Sequence, residues 1–557
     1  ANSKFDYKWL NFRYGLDIPF FNFDVILAEH ILEEDKKGEY GLKKLTKDYL
    51  PELGGYDASL EDALQSIQKE LDQEAEQKIN EALQEYFTTW QEISEQERKE
   101  LLTGWVKEGH LMLPDTNGLE KIKTVQQGRK KVVAKTYLKK LFKIIRKLPP
   151  EILDIPNQKA RKVNYGDLPK EVLLPYAAMD ALVTRKIFIK QYKKMQQDAQ
   201  HIDKLGVTEN LMWAMERMTM PLTPKIAEME YKGIRLDRER AEQYLCRIDE
   251  KLPELQEKIF SSIGRKINLS SSAPGLKKVL FEEKKYVPTI FTETDSPSTG
   301  EDAMNVLFDE YQDELLKDLV AHRKIEKVRN TYIRNWLKYS EYDGKVHFSL
   351  NQHGTVTHRL SSDNGLQNAP AYLKEMDLNI KALFLPDSED LEFYDLDIAN
   401  AEMRVLCAYS QDEFLIEAFN QGMDIHSLTA SKISEYSYED IKAGKEDKTS
   451  EQHKLRQLGK KINFGTVYSM GAKKLSKQLW SESRVSVSQE EAQEYLDKFF
   501  NEYPQVKKYM DDTKAFANKH KFVYTYTGRK RRLPMIGSGQ DQKFRAQRQA
   551  INCRIQT

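Results

Sequence analysis

The chain has 557 residues and balances 87 basic against 87 acidic side chains, so its formal net charge is zero; 40% of its residues are hydrophobic and 31% charged. That length supports several domains that each bury a core, and the composition excludes fibrous and wholly disordered chains. No apolar run approaches the roughly 18 residues of a membrane-spanning helix, and Cys246, Cys407 and Cys553 form neither a metal spacing nor a disulfide framework, so free thiols in a reducing compartment are expected. The chain starts at Ala1 with no signal peptide or lipidation motif, so a processed or truncated start is expected.

Residues 1–52 alternate apolar and polar stretches (KWLNFRYGL, FNFDVILAEHIL), which predicts a short αβα region. Tyr56–Glu100 then carries thirteen acidic and four basic residues, and Lys121–Lys147 eleven basic and no acidic ones. Such runs are ordinarily solvated helix faces. Residues 53–150 are therefore expected to be a helical, charge-segregated insertion, with its basic half a candidate nucleic-acid contact. In LPYAAMDALVTRKIF, Tyr176 and Asp180 lie four apart on one helical face, so a phenol and a carboxylate can reach the same water or metal, although a lone YxxxD is a weak signal.

PLTPKIAEMEYKGIRLD predicts a helix ending at Gly233 before a short strand. In DELLKDLVAHRKIEKVRNTYIRNWLKYS, Leu316, Leu319, Val320, Val328 and Trp336 alternate with Arg323, Lys324, Lys327, Arg329 and Arg334. This predicts a long amphipathic helix whose cationic side would follow a phosphate backbone without reading bases. NQHGTVTHRLSSDNGLQNAP has few secondary-structure formers and many donors; Thr355, Arg359, Ser361, Gln367 and Asn368 suit phosphates and minor-groove acceptors. LEFYDLDI alternates as a strand and AEMRVLCAYS runs on as a helix, which puts an acid at a strand's carboxyl end. Asp395 and Asp397 share one face by period two, and the pattern does not choose between them.

The most informative stretch is KLRQLGKKINFGTVYSMG. Arg456, Lys460, Phe464 and Tyr468 recur every four residues, so each is offset about 40° from the last and all four share one helix face. Two cations followed by two aromatics match the shape of a nucleoside triphosphate, with phosphates at one end and sugar and base at the other. Gly465 is expected to allow a close approach of ligand or backbone. Taken alone, the pattern also fits an amphipathic helix with snorkelling cations. FVYTYTGRKRRLP then reads as a strand, a Gly turn and four cations (Arg529, Lys530, Arg531, Arg532), and FRAQRQAINCRIQT spaces Arg548, Asn552 and Gln556 by four.

These stretches together resemble the motifs of family A DNA polymerases. RQLGKKINFGTVY resembles the fingers signature RxxxKxxNFGxxY, with Ser469 where Gly usually follows the Tyr. NQHGTVTHRLSSDNGLQNAP resembles TxTGRLSSxxPNLQNIP, with His358 for Gly and Gly365 where Asn is common. DLDIANAEMR is similar to DYSxxELR, GRKRRLP to GRxRxLP, and the last stretch to the palm helix RxxxNxxxQ. NSKFDYKWL and LPYAAMDALVTRKIF resemble two motifs of the 3′–5′ exonuclease domain attached to many of these enzymes.

The resemblance implies an α/β and α+β multidomain fold: an RNase H-like exonuclease-like domain over 1–205, then a right-hand polymerase domain over 206–557. The thumb is expected at about 221–345, the palm at 346–410 and 525–557, and the fingers at 411–524. It implies dNTP binding by Arg456, Lys460, Phe464, Tyr468 and Glu402, the last as a sugar gate, with Lys460 also catalytic. It implies DNA contacts from Thr355, Arg359, Gln367, Asn368, Arg529, Arg548, Asn552 and Gln556. Asp397 is chosen over Asp395 as the catalytic metal ligand, and Asp6, Tyr176 and Asp180 as exonuclease residues, Asp6 and Asp180 binding metal. A pair of Mg²⁺ ions, replaceable by Mn²⁺, is the expected cofactor; primer-template DNA, dNTPs and a replisome helicase or primase are the expected partners of a monomer. The family's DxE pair upstream of Asp6 and its HDE motif do not occur, so incomplete termini are expected. Lys, Tyr and Asn content and the divergent 53–150 stretch look closer to organellar, plastid-type replicases than to bacterial repair enzymes. A non-catalytic DNA-binding relative and a nuclease with a vestigial polymerase fold are the competing readings.

Overall fold

The computed structural model describes residues 2–18, 21–36, 39–89, 94, 96, 100, 124–127, 130–133, 161–202, 209–292, 295–447, 449–483 and 487–556. The chain forms two compact units, one of residues 1–42 with 188–557 and one of residues 43–187. This division differs from the boundary expected near 205, because it joins the first 42 residues to the larger unit. Among the described residues, no helix is long and apolar enough to cross a membrane.

The expected αβα start has helices joined by loops and no strand among its described residues. Within FNFDVILAEHIL, Asp24 accepts from the backbone N–H groups of Ile26 (2.7 Å) and Leu27 (3.1 Å) and starts the helix Val25–Leu32. An N-cap that satisfies two orphan donors outweighs β propensity over so short a run. In the unit 43–187, Ala58–Thr89 forms the expected acidic helix. The basic half departs from expectation: Thr124–Gln127 pairs antiparallel with Lys130–Val133. Thr124, Val125, Val132 and Val133 are β-branched and favour a pleated hairpin. The rest of the basic run lies outside the described residues. That hairpin is the only strand pair among the described residues of 1–205, so no RNase H-like sheet is described there.

In the larger unit, the helix Met220–Lys232 ends at Gly233 and leads into the strand Ile234–Leu236, as the sequence predicts. That strand is the centre of a three-stranded antiparallel sheet between Lys345–Val346 and Phe384–Leu385. The expected long helix runs as Glu314–Lys327, continued by Val328–Ile333 and Arg334–Tyr339, and buries Leu316, Leu319, Val328 and Trp336. Its cations do not form one open phosphate track. Arg323 donates to the Leu269 and Thr299 carbonyls, Lys324 pairs with Glu301 at 2.7 Å, and Arg329 and Arg334 both pair with Asp249. Carbonyls and acids on neighbouring segments reach these groups first, which periodicity cannot show.

The same helix positions the loop that carries the DNA-contact candidates. Tyr332 Oη donates to the Asn368 carbonyl (2.8 Å) and Trp336 Nε1 to the Asn364 carbonyl (3.0 Å). Between them, Gly365 has φ +75°, and a Cβ there would lie 2.4 Å from the Tyr332 ring. The departure from Asn therefore has a steric cause. Gly365→Ala is expected to destabilise the fold by about 2 kcal/mol or more, from left-handed strain and overpacking together; chemical denaturation of the variant against the parent measures it.

Candidate nucleotide and DNA site

The fingers stretch forms the helix Glu451–Val467, capped by Ser450, which accepts from His453 N–H at 3.0 Å. It crosses the helix Ile425–Ile433 at Gly459, where a Cβ would lie 2.4 Å from the His426 carbonyl and 2.9 Å from Ala430 N. Gly459, rather than Gly465, makes the close approach. A Cβ at Gly465 would meet Leu475 at an ordinary 3.6 Å, and that residue faces the core.

The crossing brings the two helices' polar groups together. Arg456 Nε donates to Asp424 Oδ2 at 2.6 Å, which leaves the guanidinium two further nitrogens to offer a ligand. Lys460 is exposed, with Nζ 6.0 Å from the Phe464 ring centroid. Phe464 packs 5.9 Å from the His426 ring, and Tyr468 lies just past the helix end. Arg456, Lys460 and Phe464 thus keep their helical spacing, while Tyr468 leaves the helix. Ser469 takes φ 49° and its buried hydroxyl has no partner, which accounts physically for the usual Gly at that position.

His426, Asp424 and Asn463 were not foreseen. Asn463 is fully buried; it accepts from Thr429 Oγ1 (2.8 Å) and donates to His426 Nδ1 (3.0 Å) and the Ile425 carbonyl (3.3 Å). An amide donor on Nδ1 fixes the neutral tautomer with the proton on Nε2. Burial pushes the His426 pKa down to about 4; Asp424 opposes that, and Arg456 and Lys460 reinforce it. The available signal was DIH opening a helix, with Asp424 as N-cap accepting from His426 N–H at 3.1 Å.

Past the helix, a cleft of about 870 Å³ is lined by Tyr468, Lys473, Lys474, Lys477, Arg548 and Asn552 among others. The structure therefore joins the end of the fingers stripe to two of the three spaced residues on the helix Gln540–Gln556, and Gln556 lies at that helix's last turn. The three lysines were also missed; KKLSK places them on the first turns of the helix Ala472–Ser483. Their charge makes the cleft electropositive, as a polyanion requires.

Glu402 sits in the first turn of the helix Ala401–Ser410 and receives Arg359 Nη2 at 3.3 Å. Thr355 Oγ1 donates to the Arg359 carbonyl (2.8 Å), and Gln367 and Asn368 are exposed. Asp395 and Asp397 are exposed on a segment that is not a strand, with Tyr394 81% and Leu396 91% accessible. Alternation there is real, but a strand needs a hydrogen-bonding neighbour, and no described strand pairs with these residues. Among the described residues, no three His, Cys, Asp or Glu side chains cluster to hold an ion. The expected Mg²⁺ pair therefore finds no complete donor set among them.

The basic run does not reach outward as expected. Arg531 Nη1 lies 2.6 Å from Asp35 and 3.3 Å from Glu34, Arg532 Nη1 2.7 Å from Glu34, and Lys530 Nζ 2.8 Å from Asp198. Arg529 donates to Thr219 Oγ1 at 3.2 Å, and burial pulls its pKa down to about 10. These acids lie far away in sequence, so the pattern could not reveal the pairing.

Of the exonuclease candidates, Tyr176 and Asp180 lie one turn apart on the helix Lys170–Ile202. Tyr56 Oη donates to Asp180, and its ring stacks on Tyr176 at 5.9 Å. Burial, then Asp180, raises the pKa of the Tyr176 phenol. Asp6 is exposed on the short helix Ser3–Tyr7 and belongs to the other compact unit.

A model of DNA polymerase family A matches residues 238–557. The chain belongs to that family. Over 344 residues it is 34% identical to the DNA polymerase I of Caldicellulosiruptor bescii, covering 61% of this chain and 38% of the relative. Over 345 residues it is 32% identical to that of Geobacillus stearothermophilus, covering 61% and 37%. The chain thus spans about two fifths of the length of these relatives. The solved polymerase domain of Pol1 from M. smegmatis, in complex with DNA primer-template and dNTP, is 28% identical with a TM-score of 0.56; the match covers 69% of this chain and 62% of that one.

Two outcomes test the family A site as described. Gly459→Ala is expected to force the helices apart and cost about 1–3 kcal/mol of stability by overpacking, read by denaturant midpoint. His426 is protonated in the unfolded chain near its ordinary 6.5 but in the fold only near 4, so its contribution to stability is present above about 6.5 and lost as pH falls toward 4. Thermal midpoints measured from pH 7 to 4 should fall less steeply in His426→Asn than in the parent.

Proposed function

We propose that the protein is a template-directed DNA polymerase that adds dNTPs to a primer 3′-hydroxyl. The observation that carries this reading is the continuity of Arg456, Lys460, His426 and Phe464 with the electropositive cleft at Tyr468, Arg548 and Asn552. In this reading Lys460 and the free side of Arg456 hold the triphosphate, and the neutral His426 adds an Nε2–H donor. Phe464 packs on the sugar, Tyr468 closes the pocket beside the template base, and Glu402 disfavours a ribose 2′-hydroxyl. Arg359, Gln367 and Asn368 face the primer-template on the other side.

In the same reading Asp397 is the acid at which a divalent cation, Mg²⁺ or in its place Mn²⁺, assists phosphoryl transfer. A complete ion site takes more carboxylates than the described residues bring together. The attached 3′–5′ exonuclease rests on the sequence matches at Asp6, Tyr176 and Asp180, supported locally by the phenol-lined Asp180 carboxylate. A monomer that serves a replisome in a plastid-type organelle, akin to the apicoplast DNA polymerase of apicomplexan parasites, is the finer reading supported by composition and by the divergent stretch at 53–150.

Primer extension by the full-length protein tests the proposal. Lys460→Ala should lower kcat/KM for dNTPs ~10- to 150-fold, the ~1.5–3 kcal/mol of a charge-assisted contact; an unchanged value removes its role. Asp397→Ala should abolish extension while duplex binding persists, and retained extension would shift the role to Asp395. Binding of primer-template and dNTP without extension by the parent would favour a non-catalytic relative. Primer shortening without extension would favour a nuclease.

A further inference from the structure

The helix Val25–Leu32 lies outside the residues that the family model matches, yet it reaches the loop that carries Thr355 and Arg359. His30 is 2% exposed, and its Nε2 lies 2.9 Å from the Thr355 carbonyl. A carbonyl only accepts, so the ring carries its proton on Nε2 and acts as the donor. The same carbonyl receives the His358 N–H at 3.2 Å, and Thr355 Oγ1 closes the turn by donating to the Arg359 carbonyl at 2.8 Å. Arg359 Nη2 in turn lies 3.3 Å from Glu402 Oε1.

The turn needs outside support. His358 holds φ 56°, a left-handed conformation rarely adopted by a residue with a side chain, and its ring packs edge-on against His30 at 4.5 Å. Tyr40 packs on the other ring at 5.3 Å. The helix that carries His30 is itself anchored. Glu29 is bound by Lys36 (2.7 Å) and Gln191 (2.9 Å), and Glu34 by Arg532 (2.7 Å).

We propose that His30 is a positioning residue for sugar selection: its hydrogen bond to the Thr355 carbonyl fixes the Thr355–Arg359 turn, and through Arg359 it sets the carboxylate of Glu402. This rests on the reading of Glu402 as the sugar gate. A donor on the N-terminal segment, outside the fingers and the palm, therefore controls the site's preference for deoxyribonucleotides.

The test measures kcat/KM for a dNTP and for the rNTP of the same base, with the thermal midpoint, in full-length variants. His30→Ala should raise the dNTP KM and lower the dNTP/rNTP preference at least fivefold. His30→Gln, which keeps an amide donor, should restore most of it. In an Arg359→Ala background, His30→Ala should cost no further preference, because both act on the same carboxylate. Preference within twofold of the parent in His30→Ala, whatever happens to its thermal midpoint, overturns the proposal, as does full additivity with Arg359→Ala. Glu402→Ala separates the two claims. If it keeps the parent's preference, the gate reading fails and the proposal with it; if it loses preference while His30→Ala does not, only the role of His30 fails.

Discussion

The close crossing of the helices Ile425–Ile433 and Glu451–Val467 is the constraint on which the surface carrying Arg456, Lys460 and Phe464 depends. Any side chain at position 459 would meet the His426 carbonyl at 2.4 Å, so the approach requires glycine there. Once the helices meet, Asn463 has partners for its oxygen and both amide hydrogens, as a fully buried amide requires. That network orients His426, and the cap residue Asp424 comes within 2.6 Å of Arg456. Arg456, a neutral imidazole and an aromatic face are thus held in place by neighbouring protein groups.

A second set of contacts builds the first 42 residues into the larger unit. Lys4 and Lys8 reach the buried Glu230 at 2.6 and 3.3 Å, and Glu230 also accepts from Leu350 N–H at 2.7 Å. Burial would raise the Glu230 pKa, but these partners hold it below the ordinary value. At the other end, the Glu34 side chain is fully buried and binds both Arg531 and Arg532. A buried carboxylate with two guanidinium partners is costly to break from either side. These pairs make the N-terminal segment a support for the strand Leu350–Asn351 and for the loop after it, which is where Thr355 and Arg359 lie.

Much of the site was legible because helical spacing is local. Arg456, Lys460 and Phe464 sit on one face as their four-residue interval requires, and Arg548 and Asn552 do the same on their own helix. The helix-to-strand turn at Gly233 was legible for the same reason. Readings failed where the outcome depended on a distant partner. LEFYDLDI has a strand's alternation and no paired neighbour; RKRR has a DNA-binding run's charge, but Glu34, Asp35 and Asp198 bind three of its cations.

By itself the sequence determined the family's motifs, the face each spaced residue occupies and the chemistry graded along the fingers stripe, since these follow from side-chain identity and a fixed helical pitch. The tertiary structure alone decided that Gly459 is the contact glycine, that His426 joins the stripe and that His30 reaches the Thr355 carbonyl. It also decided which cations remain available to a ligand. The physical reason is that hydrogen bonds and ion pairs act over about 3 Å in space, and the residues they join here are separated by up to several hundred positions in the chain.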